Sequence, residues 1–220
     1  PMNFENFSIK TRQETFNFLT QVCQKANGKI VIIKLSKNHP NPNEHITAQA
    51  NLIKEVRNKA SFKNLSVALP WQKTVSDLIS TKKLLSSVGL HRSPTFKIFL
   101  EIGSASNIFS LKALLAAGID GIEIDYWLLV NNLYQENFTY SELKTFDDSA
   151  IDSSLEAIIE TAKKHGQFTL VHNFPTEKSA TLSSKLISLS VSALSTSWQT
   201  VVPLRTEVSV AEKDLIKNKK

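Results

Sequence analysis

The chain has little of what several protein classes require. Its 220 residues include one cysteine and six glycines. A lone Cys23 cannot form an internal disulfide, which excludes a disulfide-stapled secreted domain and favours a reducing compartment. No apolar run approaches the roughly 18 residues that a membrane-spanning helix needs, and the first ten residues lack the apolar stretch of a signal peptide. We therefore expect a cytoplasmic protein without a membrane partner.

The excess of positive charge is not organised for nucleic-acid binding. Lysine and arginine outnumber aspartate and glutamate by 26 to 20, for a net charge of +6. The lysines are spread along the chain, several of them within residues 213–220, and no basic stripe alternates with aromatic residues. Scattered lysines on solvated helix faces account for this charge, so no nucleic-acid partner is expected. The 41% apolar fraction suffices for one buried core.

Short apolar segments alternate with amphipathic ones. Continuous apolar runs predict six parallel strands buried on both faces, over residues 29–35, 65–69, 96–102, 121–125, 168–172 and 191–194. Helical periodicity predicts helices over residues 14–25, 74–88 and 155–165. Strand–helix–strand units of roughly 30 residues imply right-handed crossovers. The predicted fold class is α/β, a parallel (β/α) barrel of TIM type. A complete barrel of this type has eight strands and only six are predicted here, so an incomplete barrel or one with fewer than eight strands is also consistent with the sequence.

We expect a single domain over residues 1–220, with a helical lead-in over residues 1–27 and a barrel-like core over residues 28–220. The proline- and asparagine-rich residues 36–45 are predicted to form a loop. Cys23 lies on the apolar stripe of the first helix and is expected in the core. Surface positions are expected for four histidines without metal-ligand spacing: His39, His45, His91 and His165.

Two carboxylates end successive predicted strands. Glu101 and Asp125 stand at the carboxyl ends of strands, where α/β folds build ligand and metal sites. Mg²⁺ takes oxygen ligands, typically one or two carboxylates plus substrate oxygens, so this pair is a candidate Mg²⁺ site. Two alternatives stay open: Glu101 pairs with a lysine, and Asp125 caps a helix that starts at Tyr126.

Four further residues at strand ends are candidates for the same site. Lys34 and Lys73 could hold an anionic substrate by charge attraction, or could instead neutralise the two carboxylates in a structural ion-pair network. The Lys34 amine is also chemically able to form a Schiff base. His172 suits acid/base catalysis on an enolate because imidazoles titrate near neutral pH, and Asn173 beside it is a candidate substrate ligand. The alternative for His172 is a loop histidine that only hydrogen-bonds its neighbours.

A series of motifs follows in a characteristic order from Gly28 to the C-terminus. KIVIIKLS is similar to a PVIVRLS pattern, VALPWQKT to LPFVRT, FLEIGSASN to MVEIPSN, LLAAGIDGIEID to the segment before GSND, and FTLVHNFPTE to CGQ-x-PS. In this order they resemble the C-terminal barrel of phosphoenolpyruvate synthase and pyruvate phosphate dikinase. The resemblance implies a homodimeric TIM-type barrel that binds Mg²⁺ and phosphoenolpyruvate or pyruvate. Such a barrel exchanges a phosphoryl group with a phosphohistidine on another domain.

The chain departs from that family at four positions of the implied site. Lys34 and Lys73 replace arginines and lose their planar bidentate fork. Leu128 falls at the metal-binding aspartate and Val171 at the acid/base cysteine. The nucleotide-binding and phosphohistidine domains are also absent from these 220 residues. We therefore predict a phosphotransferase-like domain that is catalytically degenerate as it stands, and whether it is an enzyme stays open. The alternatives are a non-catalytic scaffold or dimerisation pseudoenzyme domain, and an altered 2-oxo-acid aldolase or lyase.

Overall fold

A computed structural model describes residues 9–135, 137–139, 142, 149–173, 179–197 and 199–218. The chain divides into two compact units. Pro1–Leu100 and Ala116–Asp120 form the first unit, and Glu101–Leu115 and Gly121–Lys220 form the second. All strand pairs within each unit are parallel, which confirms the predicted α/β class. The single-domain organisation stays a prediction.

The first unit alternates helices with three strands. Its elements are α1 (Ile9–Lys25), β1 (Val31–Lys34), α2 (Pro42–Lys59), β2 (Leu65–Leu69), α3 (Val75–Ser87) and β3 (Ile98–Ile102), of which the last two residues belong to the second unit. β2 pairs with β1 on one side and with β3 on the other. Every residue of β2 is buried, as expected for a parallel strand covered on both faces. The Thr74 hydroxyl and the Asp77 carboxylate form the reciprocal capping box that starts α3.

The loop predicted over residues 36–45 is correct only for its first part. α2 begins at Pro42. Proline suits the first helical position because its φ is already helical, and because the N–H that it lacks would have no partner within the helix there. The surface position predicted for His45 is wrong, since the residue is 5% exposed on the buried side of α2. Its ring stacks on His39 at a centroid distance of 4.9 Å. Burial, and secondarily His39, lower the pKa of His45.

The core of the first unit includes one buried cation. Arg57 of α2 donates to the carbonyl oxygens of Lys63 (3.1 Å) and Leu65 (2.5 Å), and its guanidinium lies 4.9 Å from the centre of the Phe96 ring. Burial lowers the pKa of Arg57. Cys23 is 1% exposed, which confirms its predicted core position, and burial raises the pKa of its thiol.

The second unit carries the remaining strands. Its elements are α4 (Ala105–Ala116, of which the last residue belongs to the first unit), β4 (Gly121–Asp125), α5 (Tyr126–Tyr134), α6 (Ser149–Lys164), β5 (Phe168–His172), α7 (Ser179–Ser188), β6 (Ala193–Leu194) and α8 (Val201–Asn218). β5 pairs with β4 and with β6. All six predicted strands coincide with observed strands to within two residues at each end. Within the described residues, no helix has the length and apolar character needed to cross a membrane.

Candidate functional site

Three polar residues of the second unit converge at the carboxyl ends of their strands. Glu101 lies in β3, Asp125 is the last residue of β4, and His172 is the last residue of β5. One ligand atom from each residue, a carboxylate oxygen or a ring nitrogen, lies within 4.8 Å of the other two. Glu101 and Asp125 are 4% and 6% exposed, and the His172 side chain is 12% exposed. The structure thus brings together three residues that the sequence singled out separately.

Strand register explains why Asp125 and His172 meet. The parallel pairing of β4 with β5 places these two residues directly beside each other. Side chains alternate between the faces of a strand, so Glu123 shares a face with Asp125. Ile122 and Ile124 take the opposite face, where both are fully buried. The register therefore adds a third carboxylate to the face that carries the site.

Glu123 is the site residue that the sequence interpretation missed. It is 9% exposed, and its Oε1 atom lies 3.1 Å from Nε2 of His172. The same nitrogen lies 3.7 Å from Oδ2 of Asp125. The available signal was the pattern GIEID, in which a glutamate interrupts a strand that is otherwise apolar up to its terminal aspartate. A charged residue inside a strand buried on both faces is rare unless it has a partner.

Asp125 also caps α5, as the alternative interpretation predicted. Its Oδ1 atom accepts a hydrogen bond from the Leu128 N–H at 3.0 Å, and its Oδ2 atom accepts one from Nδ2 of Asn173 at 3.0 Å. Asn173 has a φ of 56°, a left-handed conformation that asparagine tolerates better than most residues. A carboxylate offers about four lone-pair directions, so capping a helix and binding a cation are compatible roles for one aspartate.

Leu128 stands where the resemblance places a metal-binding aspartate. Its side chain packs against Gly103, so closely that a Cβ atom at residue 103 would lie 2.4 Å from the Leu128 Cδ2 atom. Asn132 holds the same segment by donating to the Gly103 carbonyl oxygen at 2.6 Å. An apolar contact therefore occupies this position, and the Leu128 side chain has no atom that could coordinate a metal.

The two predicted substrate-binding lysines belong to the first unit. Lys34 is the last residue of β1 and is half-buried, whereas Lys73 is exposed immediately before the α3 cap. Near them the sequence interpretation missed Lys37, which donates to Oε1 of the fully buried Gln72 at 2.7 Å. Burial lowers the pKa of Lys37, and Asp77 partly opposes that effect. Substrate binding by Lys34, Lys73 and Asn173 stays a prediction.

Comparison with known proteins gives a distant relative and a shared fold. No family model matches the chain. The chain is 26% identical over 183 residues to phosphoenolpyruvate synthase from Aeropyrum pernix, a match that covers 81% of the chain. It covers only 22% of that synthase, so the chain spans about a fifth of the length of this curated relative.

Solved structures resemble the chain over most of its length. A citrate lyase from Burkholderia xenovorans superposes with a TM-score of 0.61 at 10% identity, covering 93% of this chain and 75% of that one. The protein CitE from Mycobacterium tuberculosis, in complex with magnesium and acetoacetate, superposes with a TM-score of 0.58 at 12% sequence identity. The match covers 92% of this chain and 77% of that one. An HpcH/HpaI aldolase from Desulfitobacterium hafniense superposes with a TM-score of 0.53 at 12% sequence identity, covering 91% of this chain and 78% of that one. At such identities the likeness concerns the fold alone, and it confirms the TIM-type (β/α) prediction, with six strands in the described residues.

Proposed function

We propose that this domain binds a divalent cation at Glu101, Asp125 and His172, and that the bound cation holds a small oxo acid. The observation that carries the proposal is the meeting of three potential ligand atoms within 4.8 Å, contributed by three different strands. Two carboxylates and an imidazole suit a divalent metal ion, and a metal ion polarises a carbonyl or carboxylate oxygen as a Lewis acid. The residues themselves thus fit a divalent cation, the class of metal that the resemblance implies.

Two distant likenesses support a small oxo acid as the substrate class. Phosphoenolpyruvate synthase is the relative by sequence, and the CitE structure contains magnesium with acetoacetate. By analogy, the candidate ligands here are phosphoenolpyruvate, pyruvate or a related 2-oxo acid. Phosphoryl transfer would also require the nucleotide-binding and phosphohistidine domains, so the chain by itself would act as the substrate-binding part. Homodimerisation is a further expectation from the same resemblance.

Aldol or lyase chemistry is the second candidate, and the pairing of Glu123 with His172 favours it. A carboxylate oxygen 3.1 Å from an imidazole nitrogen can orient the ring for proton transfer. Forming or cleaving a bond next to an oxo group requires a proton to be moved while a cation stabilises the enolate. The citrate lyase and aldolase folds support this candidate about as well as the synthase sequence supports the first.

Calorimetric titration separates these functions from a purely structural role. We expect phosphoenolpyruvate, pyruvate or oxaloacetate to bind the full chain only when Mg²⁺ or Mn²⁺ is present. We further expect Glu101→Gln to weaken cation binding at least about tenfold, because it removes a charged ligand from a buried site. Consumption of oxaloacetate or of a 4-hydroxy-2-oxo acid, followed by release of pyruvate, would favour the lyase candidate over substrate binding alone.

Glu160→Gln is the matched control for this experiment. Glu160 belongs to the same unit, but its side chain is 50% exposed and pairs with Lys164 on the helix surface. The control should bind cations and oxo acids like the unmodified chain. Absence of heat with every carboxylate, with and without a cation, would contradict the proposal and leave the scaffold interpretation.

A further inference from the structure

We infer that this site selects a borderline transition metal, such as Zn²⁺, Fe²⁺ or Co²⁺, over Mg²⁺, because the His172 imidazole is one of its ligands. The inference rests on the proposed cation site and specifies which ion that site holds. Mg²⁺ prefers an all-oxygen shell, whereas imidazole suits zinc, iron, nickel and copper. A histidine among the converging side chains therefore changes the class of metal that the site prefers.

The surroundings of His172 Nε2 match those of a ligand atom. This atom is inaccessible to solvent, and it has no hydrogen-bond partner of acceptable geometry among the described residues. It nevertheless lies 3.1 Å from Glu123 Oε1 and 3.7 Å from Asp125 Oδ2. A buried polar nitrogen that lies close to two carboxylates, without a hydrogen bond of good geometry to either, is placed as a metal ligand would be.

The distance between the proposed ligands Asp125 and His172 is close to the distance that two ligands of one metal ion keep from each other. Two ligand atoms each about 2.1 Å from a metal lie about 3.0 Å apart at a right angle and about 3.4 Å apart at a tetrahedral angle. The separation between two proposed ligand atoms, His172 Nε2 and Asp125 Oδ2, is 3.7 Å, slightly above this range. The widest separation in the cluster, up to 4.8 Å, requires a small inward movement of side chains when the ion binds.

Glu123 and Asn173 complete the surroundings of these ligands. Asn173 donates to Oδ2 of Asp125 and so orients that carboxylate, as outer-shell partners of metal ligands do. Glu123 lies beside the His172 nitrogen and adds a third carboxylate to the buried cluster. Three nearby carboxylates attract a doubly charged cation. The single nitrogen ligand favours a transition metal over Mg²⁺ among such cations.

The experiment compares cations on the intact, chelator-treated chain and on a variant that lacks the imidazole. Co²⁺ reports its ligands through its visible absorption, and Zn²⁺ and Mg²⁺ are titrated in competition with it. We expect Zn²⁺ to displace Co²⁺ and excess Mg²⁺ to fail. His172→Asn should weaken Zn²⁺ and Co²⁺ binding at least about tenfold and change the Co²⁺ spectrum, while Mg²⁺ affinity stays within about threefold.

Two further variants keep the test decisive. His165→Asn is the matched control, since His165 is an exposed histidine in the same unit whose Nδ1 atom bonds to the Thr161 carbonyl oxygen, and it should change nothing. If His172→Asn fails to fold, Glu123→Gln provides a second measure, with an expected loss of about 10- to 100-fold in Zn²⁺ affinity.

The possible failures distinguish this inference from the proposed function. If no cation binds, both are wrong. If Mg²⁺ binds as tightly as Zn²⁺, or if His172→Asn weakens both equally, the cation site stands and the selectivity is wrong. An unchanged Co²⁺ spectrum in His172→Asn would likewise overturn the inference.

Discussion

Replacing Asp125 by alanine and by asparagine should separate its structural role from its charge. Alanine removes the α5 cap and the hydrogen bond from Asn173, both formed at 3.0 Å by a residue that is 6% exposed. Loss of a cap costs about 0.5–2 kcal/mol, and a buried hydrogen bond to a charged group contributes about 1.5 kcal/mol or more. We expect Asp125→Ala to lose about 2–3 kcal/mol of unfolding free energy, or roughly 5–10 °C in Tm for a chain of this size.

Asparagine caps helices as well as aspartate does, and it also relieves the repulsion between Asp125 and the nearby Glu123. The exposed Asn173 can rotate its amide to accept where it formerly donated. We therefore expect Asp125→Asn to stay within about 1 kcal/mol of the unmodified chain but to lose cation affinity at least about tenfold. Urea unfolding and calorimetric titration measure the two quantities separately. The reasoning would be refuted by two equally unstable variants, or by an Asp125→Asn variant that binds the cation normally.

Three more changes test the packing, an ionisable group and a cap. Gly103→Ala should lose about 1–3 kcal/mol through overlap with Leu128, and adding Leu128→Ala should recover part of that loss in a double-mutant cycle followed by urea unfolding. Burial, with a smaller effect of His39, lowers the pKa of His45 below its reference value of 6.5, so the unfolded chain binds more protons just below that pH. The unfolding free energy should then fall as the pH drops from 7 to below 6.5. In His45→Gln, the urea midpoint should depend less on pH over the same range. Thr74→Ala removes the capping hydroxyl of α3 and should lower the unfolding free energy, measured by urea unfolding, by about 1 kcal/mol. An unchanged urea midpoint would contradict this role of the cap.

The sequence interpretation located the strands well because local composition determines them. Segments such as Leu65–Leu69 and Gly121–Asp125 are short, rich in β-branched or other apolar residues, and bounded by polar or turn residues. The first residues of α2, from Pro42 to His45, were predicted as a loop because the asparagines and prolines of residues 36–45 are typical of loops. Only the placement of Pro42 at the first helical position distinguishes a helix start from a loop in this segment. The burial of His45 was also missed, since it depends on which side of α2 packs inward.

Candidate site residues, two as metal ligands and His172 as an acid/base, could be chosen from the sequence because strand ends are identifiable. Glu101, Asp125 and His172 each follow an apolar run at the point where a parallel strand ends. Leu128 was correctly recognised as unable to ligate a metal, but its contact with Gly103 involves residues 25 positions apart in the chain and could not be anticipated. Whether Asp125 capped a helix or faced a site was left as a choice, and the structure allows both.

By itself the sequence determined the α/β class and the strand positions and indicated Glu101 and Asp125 as candidate carboxylates, because each follows from composition and periodicity over a few neighbouring residues. Tertiary structure alone decided that Asp125 lies beside His172, that Glu123 shares their face, and that a histidine nitrogen enters a carboxylate cluster. These relations depend on the register between strands about 47 residues apart, such as Asp125 and His172. Long-range pairing sets that register, and no local pattern specifies it.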